Sequence, residues 1–85
     1  MVRNQTFSTK EAARIFFGRT PRWLREQEER HGWNVAREDN RRMYTLDDIE
    51  IMVKYLLESQ QIGVTRAKKV LRVVYALRAL WASSK

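Results

Sequence analysis

The chain has 85 residues, a formal net charge of +7 and a pI of about 10.4. That length allows one domain with one small core, and the charge favours a polyanionic partner: DNA, RNA or an anionic membrane surface. The absence of cysteine and the single histidine, His31, exclude a disulfide staple, a thiolate metal site and a His/Asp/Glu cluster at ligand spacing.

No apolar run approaches the ~18 residues of a spanning helix. The N-terminal MVRNQTF has no signal-peptide core. The expectation is one soluble, intracellular domain over residues 1–85, with flexible ends at 1–5 and 82–85.

The first element is FSTKEAARIFF. Ser8 and Glu11 have the spacing of a capping box, and Phe7 is placed to act as a hydrophobic staple. Ala12, Ala13 and Phe16 share one helical face, with Ile15 and Phe17 on its flanks and Lys10 and Arg14 on the other side. This predicts a helix over Thr9–Phe17, stopped by Gly18. In GRTPRWLREQEERHG, Thr20 suits an N-cap and Pro21 the first helical position. Trp23, Leu24 and Gln27 form the inner face, Arg22 and Arg25 lie on another, and Gly32 ends the helix. Two short helices across a glycine-containing turn make a helix-turn-helix candidate.

WNVAREDNRRMY alternates apolar and polar residues around Glu38-Asp39-Asn40, which predicts a hairpin with strands Trp33–Arg37 and Arg41–Tyr44. Thr45 and Asp48 open a third helix with a second capping box. Its apolar arc is Leu46, Ile49, Met52, Val53, Leu56 and Leu57, while Ile51 and Tyr55 fall outside it, one turn apart. After QQIG, a long amphipathic helix capped by Thr65 carries the stripe Val70, Val73, Val74, Leu77, Leu80 and Trp81, opposite Lys68 and Arg72. The ASSK end is expected to fray. The predicted fold is mainly α, with four helices and a small β-hairpin wing.

The order of elements and the run Arg42-Met43-Tyr44-Thr45-Leu46-Asp47-Asp48-Ile49 resemble the MerR-type winged helix-turn-helix DNA-binding domain. YLLESQQIGVTRAKKVL is similar to that family's next segment, and the resemblance covers about Thr6 to Leu77. Small stand-alone members of the superfamily include phage excisionases, or recombination directionality factors. FFGRTPRWLR is similar to helix-turn-helix proteins of actinobacterial phages and their hosts. Two departures are visible. We expect neither the long dimerisation coil nor the effector domain of MerR regulators. The segment Thr20–Gly32 is also about one turn longer than the usual recognition helix, which leaves open which of its residues face a groove.

The resemblance implies double-stranded DNA as partner and an association with DNA in the cytoplasm of a bacterial host. Arg22 and Arg25 would enter the major groove, Arg19 and Thr20 would hold a phosphate at the helix start, and Arg14 would support them with Lys10. The alternative for Arg22 and Arg25 is pairing with Glu26 and Glu29 as a solvated face; Glu26, Glu28 and Glu29 together would repel phosphates. Arg37, Arg41 and Arg42 would sit on the wing. Ile51 and Tyr55 either pack beneath the fourth helix or offer an apolar spot to a neighbouring protomer. Trp23 and Trp33 are expected in the core, and His31 is read as a helix-end residue.

No nucleophile–base pair, carboxylate dyad or phosphate-binding glycine loop is present, so no enzyme activity, cofactor, metal or small-molecule effector is expected. The leading functional expectation is a DNA-bending excisionase. It would bind tandem sites cooperatively, head to tail, and bias an integrase towards excision. The alternatives are a small MerR-like transcription regulator and a protein-interaction or membrane-surface module using the basic fourth helix.

Overall fold

The computed structural model describes residues 6–33 and 35–83. Among them the chain forms α1 (Thr9–Ala12, continued by a π-helical turn Ala13–Phe17), α2 (Pro21–His31), β1 (Arg37–Glu38), β2 (Arg41–Arg42), α3 (Leu46–Glu58) and α4 (Val64–Ser83). The protein is therefore mainly helical with one small antiparallel hairpin.

Each helix start follows from local chemistry. Ser8 Oγ accepts from Glu11 N–H at 3.2 Å, and the Glu11 carboxylate accepts from Ser8 N–H at 2.9 Å, so both halves of the capping box form. Thr45 and Asp48 do the same for α3, at 3.1 and 2.9 Å. Thr20 Oγ1 accepts from Trp23 N–H at 3.2 Å, with Pro21 in the first turn of α2. The fourth start differs from expectation. α4 begins at Val64, with Ala67 N–H bonded to the Gly63 carbonyl, so Thr65 lies inside the first turn and does not cap it.

The last turn of α1 is wider than α-helical. Both Gly18 N–H and Arg19 N–H reach the Ala13 carbonyl, and Gly18 takes a left-handed conformation at φ +61°. Phe16 and Phe17 are both buried there, while Ile15 faces outward. An ideal helical wheel does not contain this extra width.

The hairpin is shorter than predicted. Arg37 pairs with Arg42 and Glu38 with Arg41. Asp39 and Asn40 form the turn at φ +51° and +65°, the geometry of a two-residue type I′ connection. Met43 N–H still reaches the Ala36 carbonyl, but Tyr44 leaves the hairpin for Phe7, exchanging two hydrogen bonds of 2.8 Å. Pairing with the segment before α1 thus ends β2 early. Trp33 lies outside the strand, and Asn34 lies outside the described residues.

The core is drawn from every helix. Phe17, Leu24, Tyr44, Ile49, Met52, Val53, Leu56, Val70 and Val74 are fully buried, and Phe7 meets Phe16 edge to face. The stripe of α4 is narrower than predicted: Ala67, Val70 and Val74 are buried, Leu71, Leu77 and Trp81 are partly buried, and Val73 and Leu80 are exposed. Leu57 is also exposed, and Trp23 and Trp33 are half-buried against the core. At the other end of the pair, Arg78 of α4 bonds Glu50 at 2.6 Å and also pairs with Asp47, tying α4 to the start of α3. That guanidinium holds the Glu50 carboxyl below the usual carboxylate range. The helix continues through Ala82 and Ser83; residues 1–5, 84 and 85 of the expected flexible ends lie outside the described residues.

Thr45→Ala removes the acceptor for Asp48 N–H at the start of α3. It is expected to cost about 1 kcal/mol and to lower Tm by about 4–8 °C. A thermal melt by circular dichroism checks this, and an unchanged Tm would show the cap to be energetically silent.

Candidate nucleic-acid interface

The turn between α1 and α2 collects cations from separate parts of the chain. Arg14, Gly18, Arg19, Thr20 and Trp23 line an open depression at the start of α2. Arg19 lies over the Trp23 ring, 5.5 Å from its centroid, which holds the side chain beside the helix N-terminus. A third cation arrives from α4. Arg66 Nη1 is 3.5 Å from the Phe17 carbonyl oxygen, and a Cβ at Gly18 would stand 3.3 Å from the same nitrogen. Glycine at the turn therefore leaves room for Arg66 to come close. The sequence reading missed Arg66, because 49 residues separate it from Phe17 and only the packing of α4 brings them together. The one available signal was the cluster Arg66, Lys68, Lys69 and Arg72 at the start of a helix without carboxylates.

Arg14, Arg19, Arg25, Arg37 and Arg41 are exposed and have no carboxylate partner among the described residues. Arg22 is exposed too, but its Nε lies 3.3 Å from Glu26, the pairing weighed as the alternative. Both side chains are largely solvated, so the pair contributes only about 0.3–0.5 kcal/mol and yields readily to a phosphate. Along the outward stripe of α2, Arg22 and Arg25 are followed by Glu26 and Glu29. The arginines thus precede the glutamates on this stripe, and Arg30 and His31 make the last turn basic again.

Glu28 does not belong to that acidic stripe. It is buried, and its Oε2 accepts from the Tyr44 hydroxyl at 3.0 Å and lies 2.7 Å from Arg42 Nε. The Arg42 Nε–H is not aimed at that oxygen, so the contact is a close ion pair and not an aligned hydrogen bond. Arg42 thus departs from the expectation for a wing cation. Its side chain is only 23% exposed and is turned inward against α2. The reason is register: Arg42 stands opposite Arg37 at the base of the hairpin, where α2 runs alongside, whereas Arg41 is nearer the tip. Contact with Glu28 pushes the Arg42 guanidinium further towards its charged form. Burial, and then the Glu28 charge, push the Tyr44 phenol up to about 12.

The last expected contact residues lie elsewhere. Ile51 and Tyr55 are 50% and 46% exposed, so they are not beneath α4. Tyr55 instead stacks near His31 and Trp33, each with its ring centroid 6.1 Å away, and His31 and Trp33 are 5.0 Å apart. These residues flank the far end of α2, about 16 Å from its basic start. No helix among the described residues is long and apolar enough to cross a membrane.

Comparison with known proteins finds no match: no family model, no curated protein and no solved structure resembles the chain.

Glu28→Ala leaves the Arg42 cation and the Tyr44 hydroxyl without their buried acceptor. It is expected to destabilise the fold by about 3 kcal/mol, read as a lowered urea midpoint. The raised Tyr44 pKa has a definite sign: its stabilisation is complete below pH 10, the unfolded value, and is lost as pH rises through about 12. Urea midpoints at about pH 9 and about pH 11 should therefore diverge in the wild type, and Tyr44→Phe should narrow that gap.

Proposed function

We propose that the chain is a winged helix-turn-helix DNA-binding protein of MerR-like type, acting as a phage excisionase. In this reading the start of α2 enters the major groove, and the Asp39–Asn40 hairpin is the wing. The observation that carries it is the convergence of Arg14, Arg19 and Arg66 on the α1–α2 turn, beside Thr20 and the free N–H groups of α2, with no carboxylate among them. A phosphate suits that chemistry, since a helix N-terminus and nearby cations both favour an anion. Arg25 is the α2 residue best placed to reach base edges, having no ion pair to give up; Arg22 must first release Glu26. Arg37 and Arg41 reach the backbone or minor groove from the wing, while Arg42 and Glu28 hold the wing at a set angle to α2.

The action on DNA requires no chemistry from the protein. Bound copies on tandem sites bend the duplex and favour an excisive integrase complex over an integrative one. Bending costs on the order of 1–6 kcal/mol, which the added phosphate and protomer contacts offset.

Two experiments test this. In fluorescence anisotropy with a duplex, affinity should fall steeply with salt, with a log–log slope of about −0.9 per phosphate contacted. Arg19→Ala with Arg66→Ala should make that slope shallower by about 2. Arg42→Ala should lower stability and leave the slope nearly unchanged. Equal slopes for the wild type and the Arg19/Arg66 variant would remove the phosphate site. The second experiment is a footprint on genomic DNA selected by the protein. Tandem direct repeats beside an integrase attachment site support the excisionase, a lone palindrome at a promoter favours a transcription regulator, and the absence of any selected DNA defeats the reading.

A further inference from the structure

α4 carries Arg66, Lys68, Lys69, Arg72 and Arg78 and no carboxylate. Arg78 is engaged with Asp47 and Glu50 of α3. Arg66, Lys68, Lys69 and Arg72 are exposed and have no carboxylate partner among the described residues. Two contacts fix how α4 lies against α1. Arg66 reaches the Phe17 carbonyl at the end of α1, and the Trp81 ring stacks on Phe7, just before its start, with 6.1 Å between centroids. α4 therefore runs antiparallel to α1, and its basic first half begins beside the α1–α2 turn. Arg66, Lys69 and Arg72 are three residues apart, so they form one slanting ridge on the helix surface, rising about 4.5 Å per step. The buried Ala67, Val70 and Val74 define the face of α4 that meets the core. The ridge winds from the edge of that face, at Arg66, to the opposite side of the helix, at Arg72.

We infer that the Arg66–Lys69–Arg72 ridge carries the phosphodiester backbone of the duplex flanking the segment that α2 enters, and draws that flank towards α4. Arg66 already belongs to the phosphate site at the α1–α2 turn; Lys69 and Arg72 extend that site along a second helix. A row of long, flexible cations with no acceptor among them suits a strand of phosphates, which presents one negative charge after another. An anionic membrane would attract the same cations, but a membrane-surface helix needs its apolar face free to enter the lipid. The apolar face of α4 is the one packed on the core, Ala67, Val70 and Val74 being at most 2% exposed. The apolar side chains left exposed, Val64 and Tyr75 on one side and Val73 and Leu80 on the other, do not form a single face. Contact along one side of a duplex also bends it. Phosphates neutralised on the side towards α4 no longer repel one another, while those on the far side still do, so the flank curves towards the protein. The inference rests on the DNA reading above and adds a contact outside both the helix-turn-helix and the wing.

Lys69→Gln combined with Arg72→Gln removes the two outer charges of the ridge and keeps good helix formers at exposed positions, so the fold should be retained, and circular dichroism checks it. The probe is a duplex that the wild-type protein selects from genomic DNA, cleaved by hydroxyl radicals in the presence of each protein. The wild type is expected to protect a stretch of backbone on one flank that the variant leaves open, with the central protection the same in both. On that duplex the variant's log–log salt slope should be shallower by about 2, and trimming the flank away should bring the wild type to the variant's slope. Circularly permuted duplexes should show a smaller bend with the variant. The same flank protected by both proteins, or a slope or bend that the substitutions leave unchanged, would overturn the inference while the helix-turn-helix reading stands. If the wild type protects no duplex, that reading falls and the inference falls with it. Co-sedimentation with vesicles of anionic phospholipid covers the other polyanion: wild-type binding that the variant loses, with DNA protection unaltered, would assign the ridge to a lipid surface and overturn the inference as well.

Discussion

The Glu28 carboxylate joins the parts of this small fold that sequence order keeps separate. It lies on α2, yet it accepts from Tyr44 and pairs with Arg42, both on the far side of the hairpin turn. A buried carboxylate is costly unless its oxygens are satisfied, so all three groups must be assembled together or not at all. Tyr44 extends the linkage further, since its backbone bonds Phe7 on the other side. One buried carboxylate thereby sets the hairpin against α2 and the hairpin base against the start of α1. An 85-residue chain with a modest core gains a defined hairpin position from it.

This arrangement divides the basic residues into two groups by what surrounds them. Arg42 and Arg78 have carboxylate partners inside the protomer and serve to position elements. Arg14, Arg19, Arg25, Arg37 and Arg41 lack such partners among the described residues and remain available to a polyanion. A net charge of +7 does not distinguish the groups, because both contribute to it equally. The distinction matters for stability as well as for binding. Removing a cation of the first group strands a carboxylate, whereas removing one of the second leaves the fold nearly untouched. The width of the α1 end has a similar positioning effect. The π turn and the left-handed Gly18 together bring Arg19 to the helix start and let Arg66 approach from α4.

Local signals carried most of the elements. Both capping boxes, the Thr20–Pro21 start of α2 and the glycine stops at Gly18 and Gly32 were legible, because each depends on residues within one turn of each other. The hairpin turn was legible for the same reason, Asp39 and Asn40 being the residues that tolerate positive φ. Strand length was not, since Tyr44 pairs with Phe7 at a separation that no local pattern reports. Helical periodicity placed Val73 and Leu80 on an inner stripe, but α3 and the end of α1 cover only a narrow arc of α4. A wheel gives the centre of a buried face; how wide that face is depends on what packs against it.

The sequence by itself determined a basic, mainly helical domain with a short hairpin, and it identified Arg14, Arg19, Thr20, Arg22, Arg25, Arg37 and Arg41 as side chains to examine for polyanion contact. Only the tertiary structure decided that Arg42 faces inward, that Arg66 belongs with the α1–α2 turn, and that Ile51 and Tyr55 edge an aromatic groove. The physical reason is the range of the forces involved. Caps, turns and periodicity act over about four residues, whereas the pairing of a buried charge and the closing of a groove depend on residues that meet only when the whole chain has packed.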